Sequence, residues 1–196
     1  MLPPSLPTSS LITDFAGLQA AFAASHAASR EEMVQPLAIR RQRLDALETL
    51  LRENANALCA AVSADFGHRS SHETQLLEIF PSLEGIRHIR RHLAGWMKPQ
   101  RRPVSLWFQP ARAELRPQAL GCVGIISPWN YPVYLAIGPL TAALAAGNRA
   151  LVKMSEFTPS TAALFAELAA RYFPADELAV VGGDHELAQA FSHLPF

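Results

Sequence analysis

The chain has 196 residues, is 49% hydrophobic, and balances 17 Lys and Arg against 17 Asp and Glu. That length buries one good core, or one and a half, and falls short of two complete domains. Zero net charge gives no global pull toward nucleic acid or an acidic membrane.

Two cysteines, Cys59 and Cys122, lie far apart without C-x-x-C spacing. They argue against a disulfide framework or a zinc site, and a reducing cytoplasm is the expected compartment. Met1 to Asp14 lacks a basic segment followed by an apolar one, so no signal peptide is read. The longest apolar stretch, Val133 to Ala146, is too short to span a bilayer.

Met1 to Ser10 is rich in proline and serine, with too few apolar anchors for a fixed shape, and is expected to fray. Asp14 caps a helix running through Phe15, Leu18 and Phe22 toward Ala28. From Pro36, apolar residues recur at Leu37, Leu44, Leu47, Leu51, Ala55, Leu58 and Val62, which predicts one long amphipathic helix. Arg40, Arg41, Arg43, Glu48, Arg52 and Glu53 fall mostly on its other face. Asp65-Phe66-Gly67 stops this helix, with glycine in the left-handed position.

Ser70-Ser71-His72-Glu73 fits a capping box. The helix it opens carries Leu76, Leu77 and Phe80, kinks or restarts at Pro81, and continues through Ile86, Leu93 and Trp96. Lys98 to Pro103 reads as extended. Val104 to Phe108 and Ala111 to Leu115 read as strands of a half-exposed ribbon, a candidate subunit contact.

Gly124 to Glu156 is the organising stretch. A short apolar run, Val123 to Ile126, meets a turn-rich Ser127-Pro128-Trp129-Asn130. An Ala- and Leu-rich segment follows, then Gly147-Asn148 and a second apolar run, Ala150 to Val152. This is the outline of a βαβ unit. Thr158-Pro159 opens a further helix that ends before Pro174. Leu178 to Val181 is a third strand, Gly182-Gly183 a turn, and Asp184 the cap of a helix reaching Phe191. The fold class is therefore α/β, with the three strands parallel. Ligands of such sheets sit at the carboxyl ends of strands, which singles out Ser127 to Tyr131 and Lys153 to Glu156.

Taken one by one, these residues leave alternatives open. Asn130 either ends a strand or caps a helix, or it is an amide donor for a developing oxyanion. Lys153 and Glu156 alone would be a solvated lysine and an acid near a helix start. Ile126, Ser127, Pro128 and Trp129 finish a buried strand or wall a ligand. Gly182-Gly183 is a plain turn or a close backbone approach, since a full G-x-G-x-x-G is absent. His88 and His92 have chelating i, i+4 spacing, but Arg87, Arg90 and Arg91 surround them and no metal site is expected. The basic run from Arg87 to Arg116 pairs with acids of a neighbouring subunit or stays solvated.

Ser127-Pro128-Trp129-Asn130-Tyr131-Pro132, followed at the right separation by Gly147-Asn148 and Lys153-Met154-Ser155-Glu156, resembles the two matching motifs of the aldehyde dehydrogenases. Asp65 to Ser70, Glu73-Thr74 and Lys153 to Pro159 are most similar to the subgroup acting on coniferaldehyde. Similarity runs from about Pro36 to the last residue.

The resemblance implies a tail and helix over 1–35, a helical part over 36–103, a β-ribbon over 104–120 and a partial Rossmann-like cofactor domain over 121–196. It makes Asn130 the catalytic oxyanion donor. It places Ile126, Ser127, Pro128, Trp129, Lys153, Ser155, Glu156 and Gly182 at the cofactor, and Tyr131 and Leu135 along the substrate tunnel. NAD is the expected cofactor, with NADP tolerated; Met154 stands where proline is commonest. The substrate implied is an aryl aldehyde, oxidised to the acid by a homo-oligomer.

The family's nucleophilic cysteine and its glutamate fall downstream of Phe196, and Cys59 and Cys122 read as core thiols. The chain alone is therefore expected to be inactive. Two other readings stand beside this one: part of an acylating relative that passes the acyl group to coenzyme A or phosphate, and a non-catalytic nucleotide- or subunit-binding fragment.

Overall fold

A computed structural model describes residues 11–196, so the reading of Met1 to Ser10 lies outside the described residues. The first helix, α1 (Phe15–Glu31), starts where Asp14 Oδ1 accepts the Gly17 amide at 2.8 Å, and it runs one turn beyond Ala28. The organising stretch forms β4 (Cys122–Ile126), α6 (Pro132–Ala146) and β5 (Arg149–Lys153). Then come α7 (Pro159–Tyr172), β6 (Leu178–Val181) and α8 (His185–Ser192). Asp184 caps α8 by accepting the Leu187 amide at 3.1 Å.

The three expected strands pair in parallel, and a two-residue strand the sequence did not announce, β1 (Leu11–Ile12), joins them. The order is β1-β6-β5-β4. Alternation along these strands divides two cores. Ile125, Ala150, Val152, Leu178 and Val180 face one cluster with the long helices; Cys122, Leu151, Ala179 and Val181 face the other, with Leu18, Leu187 and Phe191 from α1 and α8. With both faces covered, every residue of β5 is buried, which explains its unbroken apolar run.

The long helix predicted from Pro36 is two helices, α2 (Leu37–Glu53) and α3 (Ala55–Phe66). Asn54 divides them because its backbone leaves the helical region and its side-chain amide donates to Leu50 O at 2.8 Å. Its charged face is also less solvated than the pattern implies. Arg40, Arg43 and Glu48 are buried; Arg40 donates to Gln35 O and Ala145 O, and Arg43 pairs with Glu177. Glu48 takes Arg87 at 2.9 Å and Arg90 at 3.2 Å, so part of the basic run is neutralised inside this chain. Gly67 ends α3 with φ 62°, as expected.

The capping box at Ser70 does not form. Its hydroxyl makes no capping bond, and Glu73 turns to Arg69 at 3.2 Å, a charged partner that outcompetes the backbone amide. From α4 (Ser71–Thr74) the chain passes through a π turn, Gln75–Ile79, into α5 (Phe80–Trp96). Here the Phe80 amide reaches Gln75 O, five residues back, just before Pro81.

The ribbon pairs β2 (Gln100–Arg102) with β3 (Ala113–Leu115), antiparallel. Val104 to Phe108 is not a strand: Leu106–Phe108 makes a 3₁₀ turn, so the extended partner is the Gln100 segment. Both strands are wholly exposed, which also removes the half-buried face expected for β3.

Candidate functional site

The two polar loops leave the sheet side by side. Ile126 and Lys153 are register partners, and the Ser127 amide donates to Lys153 O at 2.9 Å, extending the ladder one step past the strands. On the other side of β5, the Met154 amide donates to Val181 O at 2.8 Å, which brings the turn after β6 alongside. All three loops therefore open at one end of the sheet, its carboxyl end.

In the first loop Ser127 is buried and donates from its hydroxyl to Pro132 O at 3.2 Å, tying the start of the loop to the first turn of α6. Pro132 is the first helical residue, where a missing amide hydrogen costs nothing. Between these anchors the loop is open, with Pro128, Trp129 and Asn130 exposed, and Ile126 just before them is 59% exposed. Ile126, Pro128 and Trp129 are thus not buried, while Ser127 is. Tyr131 and Leu135 are half-buried, one turn apart at the start of α6.

Side chains from a distant stretch hold this loop. Arg69 donates to Asn130 O at 2.9 Å and lies over the Phe66 and Tyr131 rings, 4.2 and 4.8 Å from their centroids. Glu78, in the π turn, is 0% exposed, and its Oε2 accepts the Val133 and Tyr134 amides at 2.8 and 3.2 Å. Burial pushes the Glu78 carboxyl above its usual range; the two amides and Arg69 pull the other way.

The second loop is held from within the sheet. Lys153 is only 2% exposed, and its Nζ donates to Met154 O at 2.7 Å and Gly183 O at 3.2 Å. Burial lowers its pKa, while Glu156 and Asp184 oppose the shift. Ser155 Oγ accepts the Phe157 amide at 3.2 Å, and Glu156 points to solvent at the tip. The helix that follows, α7, begins on Asp65, whose carboxylate accepts the Ser160 and Thr161 amides at 2.8 Å each. Gly182 is buried; its amide donates to Ile12 O at 2.8 Å and Leu11 packs on its Cα, so it seats β1 on the sheet.

Asp65, Arg69 and Glu78 are the site-supporting residues that residue-by-residue reading missed. Asp65 and Arg69 lie in the stretch carrying the subgroup resemblance, and Glu78 is an acid set among Leu76, Leu77, Ile79 and Phe80. Cys59 and Cys122 are buried with their thiols pushed up, Cys122 to about 11, so neither is an activated nucleophile. A cleft of about 330 Å³ lined by Ser29, Gln35, Gly121, Gly147 and Arg149 lies at the opposite, amino end of the strands, away from both loops.

A parallel sheet flanked by helices, with polar loops converging at the carboxyl ends of adjacent strands, defines a Rossmann-like α/β protein. The chain belongs to the aldehyde dehydrogenase family, whose model matches residues 13–195. It is 51% identical over 179 residues to a probable coniferyl aldehyde dehydrogenase of Pseudomonas aeruginosa, covering 91% of this chain and 38% of that protein. It is 49% identical to the coniferyl aldehyde dehydrogenase of a Pseudomonas species, covering 82% of this chain and 33% of that protein.

Among solved structures, a substrate-bound Staphylococcus aureus AldH superposes with a TM-score of 0.87 at 29% identity, over 91% of this chain and 39% of that one. A Mycobacterium tuberculosis aldehyde dehydrogenase complexed with NAD+ gives 0.81 at 25% identity, over 94% and 38%. The chain thus spans little more than a third of the length of these relatives, corresponding to their N-terminal part.

Proposed function

We propose that this chain is the N-terminal portion of an NAD(P)-dependent aldehyde dehydrogenase that oxidises an aryl aldehyde such as coniferaldehyde to its acid. The observation that carries the reading is the Ser127 to Lys153 backbone bond, from which an amide-bearing loop and a carboxylate-bearing loop start side by side at the carboxyl end of the sheet.

The donor set fits a nicotinamide dinucleotide. Glu156, exposed at its loop tip, is a carboxylate free to accept from vicinal ribose hydroxyls and repels a 2′-phosphate, favouring NAD over NADP. Lys153 uses two of its three donors on backbone carbonyls, leaving one for a ligand. Ser155 adds a hydroxyl between them, and Ile126, Pro128 and Trp129 offer an exposed apolar wall for a flat ring. Gly182 sits in the adjacent turn, with its amide donated to Ile12 O and Leu11 packed where a side chain would start.

When bound, the dinucleotide supplies the hydride acceptor. Asn130 donates its side-chain amide to the aldehyde oxygen as charge develops there, and Tyr131 and Leu135 border the aryl group. Because both thiols here are buried and protonated, the nucleophile comes from sequence outside these residues, and the chain alone is inactive. The exposed ribbon with Leu106, Trp107 and Phe108 is a subunit contact of a cytoplasmic homo-oligomer. Among the described residues no helix is long and apolar enough to cross a membrane.

The test uses the chain completed with the C-terminal remainder of its Pseudomonas aeruginosa relative. Asn130→Ala should lower kcat with coniferaldehyde by about 10²- to 10³-fold, the size of a lost oxyanion donor. An unchanged kcat would remove Asn130 from the chemistry.

A further inference from the structure

We propose that Glu78 and Arg69 are positioning residues for Asn130, which they set through its own carbonyl and the backbone that follows it; the proposal rests on Asn130 being the oxyanion donor. Asn130 itself is exposed on an open loop, and an amide donor on such a loop is useful only if its backbone is fixed.

Two side chains from outside the loop supply the fixing. At Asn130 itself, Arg69 Nη1 donates to the carbonyl oxygen at 2.9 Å, and its guanidinium lies over the Phe66 and Tyr131 rings. Three and four residues further on, Glu78 Oε2 accepts the Val133 and Tyr134 amides, which belong to the free amides at the start of α6. The two holders are joined: Arg69 Nη1 lies 3.5 Å from Glu78 Oε1. A single charge-assisted chain therefore runs from the Asn130 carbonyl through Arg69 and Glu78 to the start of α6.

An ordinary helix start would not need this arrangement. Tyr131 at the N-cap makes no side-chain capping bond, where a local Ser or Asp would serve at little cost. Instead the cap is a fully buried carboxylate 55 residues earlier in the chain, and burying such a group is expensive unless every contact is made. It also sits in a π turn, a helix distortion that recurs at functional sites. The same short stretch holds the second loop, because Asp65, four residues before Arg69, accepts the first amides of α7.

Two readouts test this. In the 196-residue chain, amide-proton NMR reads the contact itself: Val133 and Tyr134 should titrate together with a midpoint above the ordinary carboxylate range, and Glu78→Gln should abolish the titration. In the completed enzyme, Glu78→Ala and Arg69→Met should each lower kcat by about 10- to 100-fold while the NAD+ dissociation constant changes less than about twofold. Glu78→Gln, which keeps shape and one acceptor, should recover part of that loss, and it carries the kinetic test if Glu78→Ala does not fold.

On an Asn130→Ala background, both substitutions should cost nothing further, since they act through that amide. Losses that multiply with Asn130→Ala, or a kcat within twofold of wild type in Glu78→Gln and Arg69→Met, would overturn the proposal. If Asn130→Ala itself leaves kcat unchanged, the oxyanion reading fails and this one with it. The NMR titration still separates that case from a missing Glu78 contact.

Discussion

The two loops at the carboxyl end of the sheet are built in opposite ways. Lys153 to Glu156 continues the most buried strand, and its anchor is the Lys153 ammonium held on the carbonyls of Met154 and Gly183. Ser127 to Tyr131 follows β4 and is held by Arg69 and Glu78, which lie outside the sheet. One loop is fixed chiefly by the sheet and the turn beside it, with Asp65 holding the helix that follows. The other shares one backbone bond with β5 and the Ser127 hydroxyl bond to Pro132 O, and beyond them depends on the charged side chains of Arg69 and Glu78.

This difference predicts how each loop fails. Lys153→Met should have the largest effect on stability, about 1–3 kcal/mol in urea unfolding, because two carbonyls lose a charged donor in a buried place. Loss of stability below the error of the measurement would mean that the second loop is not tied to the sheet as described. Asp65→Ala strips the start of α7 of its acceptors and should cost about 0.5–2 kcal/mol, again by urea unfolding. Its effect on the Ser127 to Tyr131 amide resonances should be small, which sharpens the separation of the two anchors.

Glu78 gives the first loop a pH signature. Its folded pKa is raised, so between the ordinary carboxylate value and that raised value the folded state binds more protons than the unfolded one. Stability from this group is therefore present at acid pH and is lost as pH rises through that window, by at most about 1.4 kcal/mol per pH unit. Glu78→Gln should remove that component from the pH dependence of unfolding; an identical profile in both proteins would contradict it. Smallest in stability is Glu156→Gln, which should leave the urea midpoint unchanged while weakening NAD+ binding about tenfold in the completed enzyme, by calorimetry. Unaltered affinity would take Glu156 out of the cofactor site.

The same contrast explains what could be read from the sequence. The strands Val123 to Ile126, Ala150 to Val152 and Leu178 to Val181, and the caps at Asp14, Gly67 and Asp184, follow from local pattern, and the structure has them. β1 escaped because two residues form no periodic window; its place is set by pairing with Val180 and Val181. The break at Asn54 was hidden because apolar spacing continues across it, whereas the cause is one side chain bonding to Leu50 O. Ser70 looked like a capping box, but Glu73 found Arg69. Arg43 and Glu48 looked solvated because their partners, Glu177, Arg87 and Arg90, are far away in the chain. In each case a specific contact overrode the pattern, local at Asn54 and Glu73 and long-range at Arg43, Glu48 and β1. The holders of Asn130 belong with Arg43 and Glu48, being long-range and polar, while its loop was legible from its motif.

The most direct test of the central claim is a titration of the 196-residue chain with NAD+, followed by amide NMR. The account predicts shifts confined to the carboxyl end of the sheet: Ser127, Trp129 and Asn130 on one loop, and Met154, Ser155 and Glu156 on the other, moving with a single dissociation constant. Shifts centred instead on Ser29, Gly121 and Arg149 at the amino end, or on one loop without the other, would contradict it.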